Sequence, residues 1–236
     1  MMNIPEGRVE ERPARIPFEG ATLEADLSVP NDPKGIVLFA HGSGSSRFSQ
    51  RNRAVARKLQ AAGFATLLLD LLTAEEERAE ALTRHFRFDI EMLSVRLATA
   101  TNWVVAQSGL DGLSVGYFGA STGAAAAIVA AAALPELVGA VVSRGGRPDL
   151  AGTALEELRA PTLLIVGGAD TVVIGLNHEA LHRLHCVARL EIVSRAGHLF
   201  EERGALEKVS DLAERWFSEY LVDRYGAMVI TPARAY

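Results

Sequence analysis

The chain reads as an α/β protein built on a mostly parallel, doubly wound sheet. Three observations carry that reading: short continuous apolar runs, helical patterns between them, and glycine-rich or polar residues directly after the runs. Residues 15–18 and 21–29 flank Glu19-Gly20 and read as an opening hairpin, its second strand alternating apolar and polar side chains. The runs 35–40, 64–69, 115–118, 138–142, 162–166 and 190–193 are short and predominantly apolar, the pattern of strands covered on both faces. Helical patterns fall at 51–62, 90–107, 122–134, 177–184 and 205–222, so right-handed crossovers join parallel strands. The sheet then has about eight strands, with helices on both faces and no large cap.

At 236 residues and 49% hydrophobic content, the chain is long enough for one large core. A single domain over 1–236 is expected, with 1–14 and 229–236 as peripheral tails. The formal net charge of -5 gives no general drive toward nucleic acid or an anionic membrane. Cys186 is the only cysteine, so no intrachain disulfide forms, and a reducing cytoplasm is the expected compartment. The N-terminal segment is charged and carries prolines instead of the apolar core of a signal peptide. The alanine-rich stretch 124–134 is stopped by Pro135 and is too short for a bilayer.

The chemistry-bearing residues fall just beyond strands, where open α/β sheets place their sites. Gly119-Ala120-Ser121-Thr122-Gly123 lies between an apolar strand and a helix, which is the setting of a nucleophile elbow. Small residues two positions either side of Ser121 let strand and helix pass close together. A serine hydroxyl needs a base, a carboxylate that orients the base, and amide donors for the oxyanion. His198, after the last apolar strand, is the candidate base. Asp170, after the penultimate one, is the candidate acid, with Asp149 one strand earlier as its rival. The order Ser, Asp, His favours Asp170. For the oxyanion hole, the amide of Thr122 follows the nucleophile, and that of Ser43 lies in His41-Gly42-Ser43-Gly44.

With these motifs in place, residues 15–222 resemble the α/β-hydrolase family, and their small size without a cap insertion is most similar to its dienelactone-hydrolase-like branch. The resemblance implies the α/β-hydrolase fold. It departs at one point, because dienelactone hydrolases proper use a cysteine nucleophile and this elbow carries Ser121. Cys186 lies outside any elbow and cannot replace it. The expected activity is therefore that of a carboxylesterase-type serine hydrolase on small soluble esters. A thioesterase or acyltransferase on the same triad, and a non-catalytic binding module retaining the scaffold, are the alternatives.

Several other features bear on ligands. His178-Glu179-Ala180-Leu181-His182 matches the zinc motif H-E-x-x-H, with His185 on the same helical face, but no extended metzincin spacing follows. A solvated histidine-rich face is the preferred reading, and neither a metal nor a cofactor is expected. Arg47, Arg51 and Arg53 follow the oxyanion loop, and Arg144 and Arg147 follow the strand at 138–142. Arg47 and Arg144 are candidates for a substrate carboxylate or phosphate, against the alternative of pairing with surface acids. Phe86 and Phe88 are candidates for an acyl-pocket wall. The expected partners are a small ester substrate and, at most, a second copy of the chain, with no nucleic acid and no membrane.

Overall fold

The computed structural model describes residues 9–42 and 44–221. Its elements in chain order are β1 (Val9–Phe18), β2 (Ala21–Pro30), β3 (Ile36–Ala40), α1 (Gln50–Ala61), β4 (Ala65–Leu69), α2 (Ala74–Thr83) and α3 (Ile90–Val105). There follow β5 (Val115–Ala120), α4 (Thr122–Ala133), β6 (Val138–Arg144), α5 (Ala154–Glu157), β7 (Thr162–Gly167), α6 (Thr171–Arg183), β8 (Ala188–Val193) and α7 (Ala205–Tyr220). The strands form one sheet in the order β1-β2-β4-β3-β5-β6-β7-β8. The hairpin pairs antiparallel with β4, and every pairing from β4 through β8 is parallel.

Alternation along the strands divides the core into two layers. Tyr117 packs on the α3–α4 side and Phe118 on the α1–α7 side, which is why these strands read as unbroken apolar runs. Helix α7 buries Val209, Leu212, Ala213, Trp216 and Phe217, the spacing of one helical face. Helix α4 buries alanines around its circumference, because a side chain of one methyl lets it lie close against the sheet. No helix among the described residues is long and apolar enough to cross a membrane.

Several elements depart from the sequence reading, among them the short helix α5, which was not expected, and the edge strand β8, expected to be covered on both faces but with Val193 its one buried residue. Strand β1 begins at Val9, so residues 9–14, expected as tail, lie in the sheet, while 1–8 and 229–236 fall outside the described residues. Its polar side chains suit an edge strand, whose backbone pairs on one side only. Helix α2 was not expected. Thr73 and Glu76 form a reciprocal capping box, and Arg96 of α3 donates to both Glu76 oxygens at 2.6 Å and to the Leu71 carbonyl at 2.8 Å. Helix α6 starts at Thr171, six residues before the expected 177, because Asp170 directly precedes it at the end of the β7 turn.

Candidate active site

Ser121 stands between β5 and α4 with φ 51° and ψ -122°, a conformation that disfavours any residue with a Cβ. Its N–H donates to the Arg144 carbonyl at 3.3 Å, and its own carbonyl accepts from the amides of Ala124 and Arg147, both at 3.1 Å. The turn is thus pinned to the end of β6 and to the first turn of α4. Close packing explains the flanking glycines. A Cβ on Gly123 would lie 2.3 Å from the Ala40 carbonyl oxygen, and one on Gly119 would lie 2.5 Å from Ala124 Cα.

The loop after β3 passes directly over the turn. A Cβ on Gly42 would stand 2.8 Å from Ser121 Cβ. His41, to which the motif assigns no role, shapes this loop. Its Nε2 accepts from the Leu71 N–H at 3.2 Å, so the ring proton sits on Nδ1 and donates to the Gly42 carbonyl at 3.0 Å. Ser43 lies outside the described residues. Arg47 donates its backbone N–H to Asp70 Oδ1 at 2.6 Å, its Nη1 also binds Asp70, and its Nε lies 3.5 Å from Asp26. Of the two alternatives for Arg47, a substrate anion or pairing with acids, the structure shows the second: it is committed to two carboxylates and anchors the loop.

Asp170 and His198 are brought together by the loops after β7 and β8. Nδ1 of His198 is 2.7 Å from Asp170 Oδ2. Although Asp170 occupies the N-cap of α6, its side chain makes no capping hydrogen bond, so the carboxylate is committed to the imidazole. The ring lies beside the elbow: a Cβ on Gly145, the residue after Arg144, would be 3.5 Å from His198 Nδ1. The rival Asp149 is held bidentately by Arg147 at 2.9 and 2.7 Å. That pair raises the Arg147 pKa, chiefly through the hydrogen bond to Asp149.

A recess of about 20 Å³ opens beside Thr122 and Gly42, lined also by Leu72, Glu77, Glu80 and Arg87. The expected aromatic wall is absent from its lining. Phe86 packs against the core and Phe88 is 58% exposed. Arg87, between them, points to Glu80, which is 2% exposed. Burial alone would raise the Glu80 pKa, yet hydrogen bonds from Arg87 and the Phe86 amide hold it below the usual carboxylate range. Arg144 is buried on the opposite side of the elbow, 7% exposed. The H-E-x-x-H side chains lie exposed on α6, and the described residues contain no cluster of three potential ligands.

A model of the dienelactone hydrolase family matches residues 23–221. Proteins from two strains of Mycobacterium tuberculosis, provisionally named phosphoribosyl transferases, are 58% identical over 195 residues, or 83% of this chain and 43% of theirs. The chain therefore spans less than half the length of these curated relatives. A dienelactone hydrolase from Anabaena variabilis is 57% identical, with a TM-score of 0.88 over 90% of this chain and 99% of that one. Est1E from Butyrivibrio proteoclasticus, 15% identical, shares the fold with a TM-score of 0.74 over 88% and 98% of the two chains.

Proposed function

The chain belongs to the dienelactone hydrolase family, and from that premise we propose that it is a serine hydrolase cleaving carboxylic esters of small soluble substrates through an acyl-Ser121 intermediate. The observation that carries this reading is the 2.7 Å contact between Asp170 Oδ2 and His198 Nδ1 beside the elbow. A carboxylate at Nδ1 keeps a proton there and leaves Nε2 as the acceptor for the Ser121 hydroxyl. His198 takes that proton as Oγ attacks the ester carbonyl, then delivers it to the departing alcohol. Water reverses the sequence, losing its proton to His198 and releasing the acid and free Ser121.

The amides of Thr122 and Ser43 hold the developing oxyanion. Support for the second is the close passage of Gly42, the residue before Ser43, over Ser121. The small recess beside Thr122 takes the acyl substituent. About 20 Å³ suits a group of roughly methyl size, so short acyl chains are favoured.

The test is hydrolysis of phenyl esters from acetyl to hexanoyl by wild type and Ser121→Ala, with mass spectrometry after treatment with an alkyl fluorophosphonate. The wild type should turn over the shortest esters fastest and gain one phosphonyl group on Ser121, and the variant should do neither. Equal turnover by the two proteins would remove Ser121 from the mechanism.

A further inference from the structure

The sheet ends in two edge strands of opposite character. Strand β1 carries Pro13, Pro17 and several charged residues, which blunt it against further pairing. Strand β8, Ala188-Arg189-Leu190-Glu191-Ile192-Val193, has no proline and a regular register, and it pairs only with β7. The bonds it makes there fix what its open side presents. The Thr162 N–H donates to the Val187 carbonyl and the Gly168 N–H to the Val193 carbonyl, both at 2.8 Å. In an extended strand the N–H and C=O of one residue point to one side and those of the next to the other. The odd-numbered residues therefore serve β7, and the N–H and C=O groups of Ala188, Leu190 and Ile192 face outward without a partner among the described residues.

The side chains alternate as well. Ala188 and Leu190 pack against the core layer that holds α3 and α4, and Ile192, on that same face, is exposed. Arg189 and Glu191 lie on the other face, in a recess of about 220 Å³ beside Trp216 of α7. Lys208, Arg215 and Glu219 line this recess too, yet neither Arg189 nor Glu191 has an ion-pair partner among the described residues. The Arg189 guanidinium carbon instead stands 5.9 Å from the centre of the Trp216 ring. The open edge thus presents a cation and an anion two residues apart on one face.

We propose that β8 pairs antiparallel with β8 of a second copy of this chain, about a two-fold axis at Leu190, joining the two sheets into one. A two-fold contact requires a surface complementary to itself, and the order Arg-Leu-Glu read in opposite directions supplies it. In this register Leu190 faces its own copy and Ala188 faces Ile192, so the outward N–H and C=O groups exchange hydrogen bonds. Arg189 then faces Glu191 of the second copy at the non-hydrogen-bonded positions, where side chains stand closest. The two-fold axis makes that pair twice. The next two-fold register in either direction sets Arg189 against Arg189 or Glu191 against Glu191, which like-charge repulsion disfavours. Charge order therefore selects one pairing.

The test is sedimentation equilibrium of the full chain at micromolar concentrations, for wild type, Arg189→Glu, Glu191→Arg and the variant carrying both changes. Wild type should dimerise. Each single change sets like charges opposite one another at both positions and should raise the dimer dissociation constant about tenfold or more, and the double variant should restore it. Arg189 is exposed and Glu191 partly so, and recovery in the double variant separates a lost interface from a damaged fold. Residue-resolved hydrogen exchange reads the register: the amides of Ala188, Leu190 and Ile192 should be protected in wild type and the double variant and exchange freely in the single variants. A wild type that stays monomeric overturns the proposal. So does a dimer that the single changes leave intact, that the double change does not restore, or in which those three amides exchange freely. None of these readouts depends on Ser121, so the outcome stands apart from the esterase reading.

Discussion

The strained turn at Ser121 separates the cost of the nucleophile's backbone from the value of its hydroxyl. With φ at 51° and ψ at -122°, the residue occupies a region that costs a non-glycine side chain about 1–3 kcal/mol. Glycine adopts such angles freely, offset by about 0.5–1 kcal/mol of extra unfolded-state entropy. Ser121→Gly should therefore be more stable than Ser121→Ala by about 1–2 kcal/mol, since both lose the hydroxyl and only one loses the Cβ. For a chain of this size that is a rise in Tm of about 2–8 °C. Differential scanning calorimetry of the two variants measures it, with ester hydrolysis abolished in both. A glycine variant no more stable than the alanine variant would show that the elbow stores no strain, and the steric account of the turn would fall.

Two further outcomes test the supports of the site. Asp170→Asn should lower kcat by about 10⁴ with little change in KM, because an amide can face Nδ1 with its N–H₂ and shift the imidazole proton to Nε2; steady-state kinetics decide. Glu76 is held below the usual carboxylate range, chiefly by its hydrogen bond to Arg96. The folded pKa is thus below the unfolded one, so its stabilisation is complete above about 4.3 and is lost as pH falls through the folded value. Glu76→Gln should cost roughly 1 kcal/mol at pH 7 and almost nothing in strong acid, read from thermal melts across that range.

What the sequence shows and what it hides divide along a physical line. The strained turn at Ser121 and the close packing at Gly119 and Gly123 were legible because backbone geometry is what a five-residue pattern encodes. The pairing of His198 with Asp170 and not Asp149 was legible because strand order places Asp170 beside the last loop. Helix α2 carried its signal in Thr73 and Glu76, a capping box, yet its apolar periodicity is weak and its anchoring comes from Arg96, twenty residues later. The β-branched run Thr171 to Ile174 favours a strand by propensity, and its helical state is a tertiary effect. The site arginines were hardest, because guanidinium groups at similar places meet opposite fates. Arg47 is neutralised by Asp70 and Asp26, Arg87 by Glu80, and Arg144 by no carboxylate among the described residues. Which carboxylate lies opposite depends on register and helix phase across the sheet. Ala140 and Val142 of β6 pack in the α1–α7 layer, and Arg144, two residues further along and expected at an open rim, is buried beside Asn52. An unanswered charge in that position is therefore a property of the assembled fold, and its chemical meaning becomes visible only when its neighbours can be named.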